Sequence, residues 1–87
     1  MYYVYLIGST KNHKHKTYVG FTTDLKNRLF HHNAGKGAKS TKGRYWRYYY
    51  FKKFKSKKKA LSYEYSLKKN RKLRLKITTK FLATNQV

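Results

Sequence analysis

The sequence predicts an α/β fold, a small, mainly antiparallel three-stranded sheet flanked by helices, in one domain spanning residues 1–87. Three observations carry that reading. Tyr2-Tyr3-Val4-Tyr5-Leu6-Ile7 is an unbroken β-branched and aromatic run of strand length. A second run, Thr17 to Phe21, follows a polar link too short for a crossover helix, so the two strands pair antiparallel. Thr22-Thr23-Asp24 then offers side-chain oxygens to the free N–H groups of a first helical turn, and Leu25 and Leu29 recur at a helical spacing of four.

In chain order, the first strand covers residues 2–7, and Gly8 to Lys16 is a nine-residue polar connection. Side chains alternate along a strand, so Tyr3, Tyr5 and Ile7 share one face, as do Tyr18 and Gly20. Which face meets a helix is left open by the pattern. The helix over about 24–33 ends near Asn33 and Gly35, residue types common at helix C-termini. Residues 35–43 form a basic, glycine-punctuated loop that lacks the Walker spacing of a phosphate-binding P-loop. It suits contact with phosphates and plain solvation equally. Residues 44–54 supply a third strand or strand pair. Ser56 caps a second helix over roughly 57–69, with Ala60, Tyr63, Glu64 and Leu67 on one stripe. Beyond Asn70, a basic C-terminal segment alternates Leu73, Leu75 and Ile77 with Arg and Lys, the pattern of a strand or extended arm.

Charge narrows the function. Lys+Arg is 23 against 2 for Asp+Glu, a net charge of +21. Self-repulsion on that scale opposes a compact state and calls for a polyanionic partner, nucleic acid before an anionic membrane surface. The aromatic content of 18% argues against a disordered basic tail. Lysines outnumber arginines 18 to 5. Lysine acts as a point charge whereas arginine forks onto base edges, so backbone contact with little sequence readout is expected. The absence of cysteine excludes disulfides, zinc fingers and thiol chemistry, and fits a reducing, intracellular location where DNA lies. No apolar run reaches the roughly 18–20 residues of a membrane span.

Few side chains are available for chemistry. Asp24 has a sufficient task as a helix cap. Glu64 lies inside an otherwise packing stripe, where a carboxylate needs a cation, from a salt bridge or from Mg²⁺ or Mn²⁺. Arg28 and His32 are four apart and project together, close to whatever Tyr18 faces; His31 points elsewhere.

These features together resemble the GIY-YIG endonucleases. Tyr3-Val4-Tyr5 and Tyr18-Val19-Gly20 match that family's paired motifs, with Tyr3 in place of the first glycine. Arg28 stands where the family places its arginine, and Glu64 where it places its metal-binding glutamate. The stretch His32-Asn33-Ala34-Gly35-Lys36-Gly37-Ala38, with Gly43-Arg44 and Trp46, is more narrowly similar to structure-specific endonuclease catalytic subunits and small UvrC-like stand-alone domains. The resemblance covers about residues 2–69. The family's asparagine has only Asn70 and Asn85 as candidates after Glu64, and the zinc domain of eukaryotic structure-specific subunits is missing.

The resemblance implies hydrolysis of a DNA phosphodiester, with branched or otherwise structured duplex as substrate and repair or recombination as setting. A protein partner or regulatory subunit accompanies some members. In the family's scheme Tyr18 activates the water and Tyr5 holds it in line. Arg28 neutralises the phosphate oxygens, His32 accepts or relays a proton, and Glu64 holds one divalent ion, Mg²⁺ or Mn²⁺. Lys36, Lys39, Lys42, Arg44 and Gly20 are the expected nucleic-acid contacts. The competing expectation is a basic protein that binds or condenses nucleic acid without cutting it.

Overall fold

The structure, a computed structural model, describes the backbone of residues 1–85 and the side chains of residues 1–84. Its elements are β1 (Tyr2–Lys11), β2 (Lys14–Thr22), α1 (Leu25–Asn33), a 3₁₀ turn (Lys39–Thr41), β3 (Arg47–Phe54), α2 (Lys57–Lys69) and α3 (Arg71–Asn85). The sheet order is β2-β1-β3, with both pairings antiparallel. The β1 strand is central because it is the one strand apolar on both faces: Val4 to Ser9 are all buried.

Alternation divides β1 between two half-cores. Val4 and Leu6, with Val19 of β2, meet Ala60 and Leu67 of α2, and Leu73 and Ile77 of α3 close over them. Tyr5 and Ile7 face the other way, onto Trp46, Tyr18, Tyr48 and the Leu25–Leu29 stripe of α1. A β-bulge between Leu6 and Ile7 shifts the register so that Leu6 opposes Tyr50 and Ile7 opposes Tyr48. One extra residue in β3 reverses the facing of the residues on its far side. Tyr48 thereby joins the Tyr5 side while Tyr50 stays on the Leu6 side.

Both helix starts expected of the sequence form. The Asp24 side chain accepts the Asn27 N–H at 3.0 Å, and Ser56 accepts that of Lys59 at 3.3 Å. Asn33 fastens the end of α1 to the start of β3. Its side-chain amide accepts from the Trp46 N–H at 2.5 Å and donates to the Trp46 carbonyl at 3.2 Å.

Three expectations are corrected. The polar link Gly8 to Lys16 is mostly strand: β1 and β2 run on to a two-residue turn, Asn12-His13, with φ of 51° and 64°. Such left-handed pairs suit the twist of a tight hairpin, and the exposed ribbon tip needs no apolar residues. Residues 44–54 give one strand, beginning at Arg47, and no pair. The segment after Asn70 is a helix. Leu73 and Ile77, four apart, pack inward while Leu75 is 63% exposed, so the working period is helical and the apparent alternation is not. Asn70 starts this helix, its side chain accepting the Leu73 N–H at 3.0 Å.

Candidate active site

The site is built around the Tyr5 hydroxyl. Tyr5 lies on the buried central strand, and its partner across the ladder is Gly20. A side chain at position 20 would place its Cβ 2.2 Å from the Tyr5 oxygen, so only glycine admits the tyrosine ring. Gly20 is itself buried, which makes it clearance for Tyr5 and not the surface contact expected of it.

The hydroxyl is 2.8 Å from Nε2 of His32, a residue 1% exposed. The other ring nitrogen, Nδ1, is 2.9 Å from Thr41 Oγ1, and that hydroxyl donates to the Ala38 carbonyl at 2.7 Å. This chain fixes every proton. The Ala38 carbonyl only accepts, so the single Thr41 hydrogen goes there, and Oγ1 must accept from Nδ1–H. Neutral imidazole then presents a lone pair at Nε2, and Tyr5 donates to it. Burial lowers the basicity of His32, and Arg28 and His31 lower it further, which keeps the ring neutral. Burial also lifts the Tyr5 hydroxyl far above its ordinary value, with Tyr18, Tyr48 and Glu64 adding and Arg28 opposing. Tyr5 is therefore a phenol and not the phenolate that the net positive charge alone would favour.

The remaining sequence-selected residues gather on this pair. The Tyr18 ring meets His32 edge-on, with centroids 5.2 Å apart. Arg28, half-buried on α1 one turn before His32, is close enough to act on Tyr5, His32 and Tyr48 together. It has no carboxylate partner: the one ion pair found among the described residues is Lys68–Glu64, 3.3 Å apart. Glu64, on α2, has its side chain 18% exposed and lies near enough for its charge to bear on the Tyr5 hydroxyl. Its partner Lys68 is 52% exposed, and such i,i+4 pairs contribute only about 0.3–0.5 kcal/mol. The Glu64 carboxylate is thus held near the site but weakly occupied. Among the described residues no three His, Cys, Asp or Glu side chains cluster. One carboxylate suits Mg²⁺ or Mn²⁺, which take the rest of their oxygens from water and substrate phosphate, and does not suit zinc.

The expected DNA contacts divide differently. Lys36, Lys39 and Lys42 are exposed on the loop that carries Thr41 over His32. Arg44 instead clasps the β1–β2 hairpin, donating to the carbonyls of Ser9 at 2.9 Å and Lys14 at 3.2 Å. Asn70 is spent on the α3 cap, and the Asn85 side chain lies outside the described residues.

Sequence reading missed Thr41, Gly37 and Tyr48. A Cβ at Gly37 would fall 2.3 Å from His32 Nδ1, so this glycine lets the loop close over the imidazole. Tyr48 packs edge-on against Tyr5 at 5.5 Å and donates to the Leu25 carbonyl at 2.5 Å; burial pushes its hydroxyl up to about 12. Gly37 lies within the stretch that carries the narrower resemblance, but its role, like those of Thr41 and Tyr48, is a tertiary contact that no local pattern marks.

Two tyrosines on adjacent strands, an arginine without a carboxylate partner, a neutral buried histidine and a lone carboxylate are groups that phosphodiester cleavage can use, and the family match makes this a nuclease catalytic domain. The chain belongs to the GIY-YIG catalytic domain family, whose profile matches residues 1–76. It is similar to the UPF0213 proteins of Streptococcus pyogenes serotype M5 (strain Manfredo) and serotype M1. Each is 46% identical over 70 residues, covering 79% of this chain and 74% of the relative. No solved structure matches.

Proposed function

We propose that the protein is a divalent-metal-dependent endonuclease that selects DNA by structure, with little regard for sequence, and serves intracellular repair or recombination. The observation that carries this reading is the convergence on Tyr5 of His32, Tyr18, Arg28 and the Glu64 carboxylate, an arrangement that binding alone does not need.

Tyr18, half-buried on an edge strand, stands at the opening and orients the attacking water. Behind it the Tyr5 oxygen accepts the water's proton while its own hydrogen passes to Nε2 of His32. Nδ1–H stays on the imidazole, held by Thr41. The charge formed on His32 is what keeps the relay a transient acceptor: burial and Arg28 return the proton once the reaction is over. Arg28 meets the non-bridging oxygens, where negative charge gathers as the new P–O bond forms and the old one breaks. Glu64 is the residue that would hold the metal ion, which supplies charge neutralisation at the leaving oxygen when bound.

The test is incubation of the purified chain with labelled branched, nicked and linear duplexes in Mg²⁺, Mn²⁺ or EDTA. Cleavage is expected with either metal, preferentially on branched or nicked DNA, and none in EDTA. Glu64→Gln should lose cleavage by orders of magnitude while DNA affinity holds or rises, because one negative charge has left a basic surface. A Gln variant that cuts at the wild-type rate removes Glu64 from the mechanism. Tight binding of every duplex with no metal-dependent product would favour the binding or condensing protein instead.

A further inference from the structure

Beside Tyr18 the structure carries a cationic trough that the reaction as described does not use. Two adjoining depressions of about 240 and 150 Å³ share Thr17 and Arg74. The first is lined by Tyr18, Thr17, Val19, Lys68 and Arg74. The second continues along the β2 edge past His15 and Arg71, over Leu75 and Thr78. It exists because the segment after Asn70 is a helix, which brings the first turns of α3 alongside β2. The lining holds donors of the kinds that bind phosphate and not one carboxylate. With Asp24 capping α1 and Glu64 at Lys68, no acidic side chain among the described residues is left to neutralise Arg71 or Arg74.

Arg74 is also held in advance. Its Nη1 donates to the Leu67 carbonyl at 2.9 Å and to that of Lys68, the last turn of α2, which fixes the guanidinium plane. A pre-positioned fork loses little conformational freedom when it takes up an anion. Arg71 is three residues earlier, on the neighbouring part of the same helical face, about 4.5 Å along the axis. That step carries the positive charge away from Tyr18 along a line, as a strand with regularly spaced phosphates requires.

We propose that this trough is the track of the reacting DNA strand, with Thr17, Lys68 and Arg74 on the phosphate next to the one at Tyr18, and Arg71 and His15 on the phosphate after it. The proposal rests on the nuclease reading for its direction, since Tyr18 marks where the cut falls. It moves the strand contacts from the loop at 36–44 to α3.

The experiment compares Arg71→Gln and Arg74→Gln with Lys58→Gln, which removes the same charge from an exposed site in the first turn of α2. Affinity for a duplex is measured as a function of salt, in EDTA so that nothing is cut, and thermal unfolding is followed on each sample. Each lost phosphate contact lowers the steepness of log affinity against log salt by about 1. Arg71→Gln and Arg74→Gln should each show that loss and Lys58→Gln should not. The exposed Arg71 side chain anchors no other element, so its variant should melt with the wild type and stays informative if Arg74→Gln, which frees the α2 carbonyls, is less stable. In Mg²⁺, Arg71→Gln should raise KM several-fold and leave kcat in place. Equal slopes for all three variants, or a kcat loss with KM unchanged, would overturn the track. If no DNA is cut by any form, the nuclease reading falls while the slopes still decide where the strand lies.

Discussion

Thr41 shows how far a single hydroxyl reaches in this site. It selects the His32 tautomer, and through it the direction of the Tyr5 hydrogen bond. In Thr41→Val the shape is kept but Nδ1–H loses its acceptor, and a buried donor without a partner costs about 1–3 kcal/mol. That is expected to lower Tm by roughly 4–8 °C per kcal/mol for a domain of this size. Cleavage should fall as well, because the imidazole is free to place its hydrogen at Nε2 and block the proton from Tyr5. Thr41→Ser should restore both. The pH profile depends on the same ring. In the proposed relay His32 accepts only when neutral, and its folded-state basicity lies below the ordinary imidazole value. Activity should therefore be level through neutral pH and fall only as pH drops through that lowered value. Stability has the same sign: the unfolded chain binds the proton first, so the contribution is complete above about 6.5 and is lost on acidification. A rate that rises as pH falls below neutrality would contradict the assignment.

At the scale of elements, what could be read from sequence was whatever is local. The caps at Asp24 and Ser56, the Leu25–Leu29 stripe, the pairing of Arg28 with His32 and the placing of Glu64 within a packing stripe all depend on residues within one turn of each other. The lengths of β1 and β2 were hidden, because their exposed tips are written in polar residues that also suit a loop. The α3 helix was hidden because Leu73, Leu75 and Ile77 satisfy a period of two, and only packing on β3 and α2 shows that Leu75 is outside. The bulge that brings Tyr48 beneath Tyr5 has no sequence mark at all. Asn70, by sequence a candidate for the family's asparagine, ends α2 and starts α3. Replacing it by Ala should cost about 1 kcal/mol, read as a lowered unfolding midpoint in denaturant. The same variant should weaken duplex binding, since frayed first turns of α3 no longer hold Arg71 and Arg74 beside β2. Unchanged stability would show that the cap contributes nothing.

At the scale of the molecule, +21 charges on 87 residues set two tendencies against each other. Added salt screens self-repulsion and should raise Tm, since so few carboxylates are present to form ion pairs that salt would weaken. The same salt weakens DNA binding by competing for phosphates. Cleavage at fixed, subsaturating DNA is then expected to pass through a maximum as salt increases. Supplying more DNA should raise the rate on both sides of the maximum, since the polyanion stabilises the fold at low salt and mass action keeps the complex formed at high salt. Measuring Tm, affinity and rate over one salt series checks this. A Tm that falls across the series would mean that self-repulsion is not what limits the fold.

The two glycines at the ends of the proton chain have a consequence for how this site can fail. Gly20 leaves room for the Tyr5 oxygen and Gly37 for the far nitrogen of His32; a Cβ at either position would fall 2.2 or 2.3 Å from that atom, well inside contact distance. The active residues are therefore vulnerable from the outside as well as from within. A neighbouring backbone that gains one carbon evicts Tyr5 or His32 while every reactive group is still present in the sequence. An inactive descendant of this chain could keep Tyr5, Tyr18, Arg28, His32 and Glu64 intact, with the loss written only at position 20 or 37.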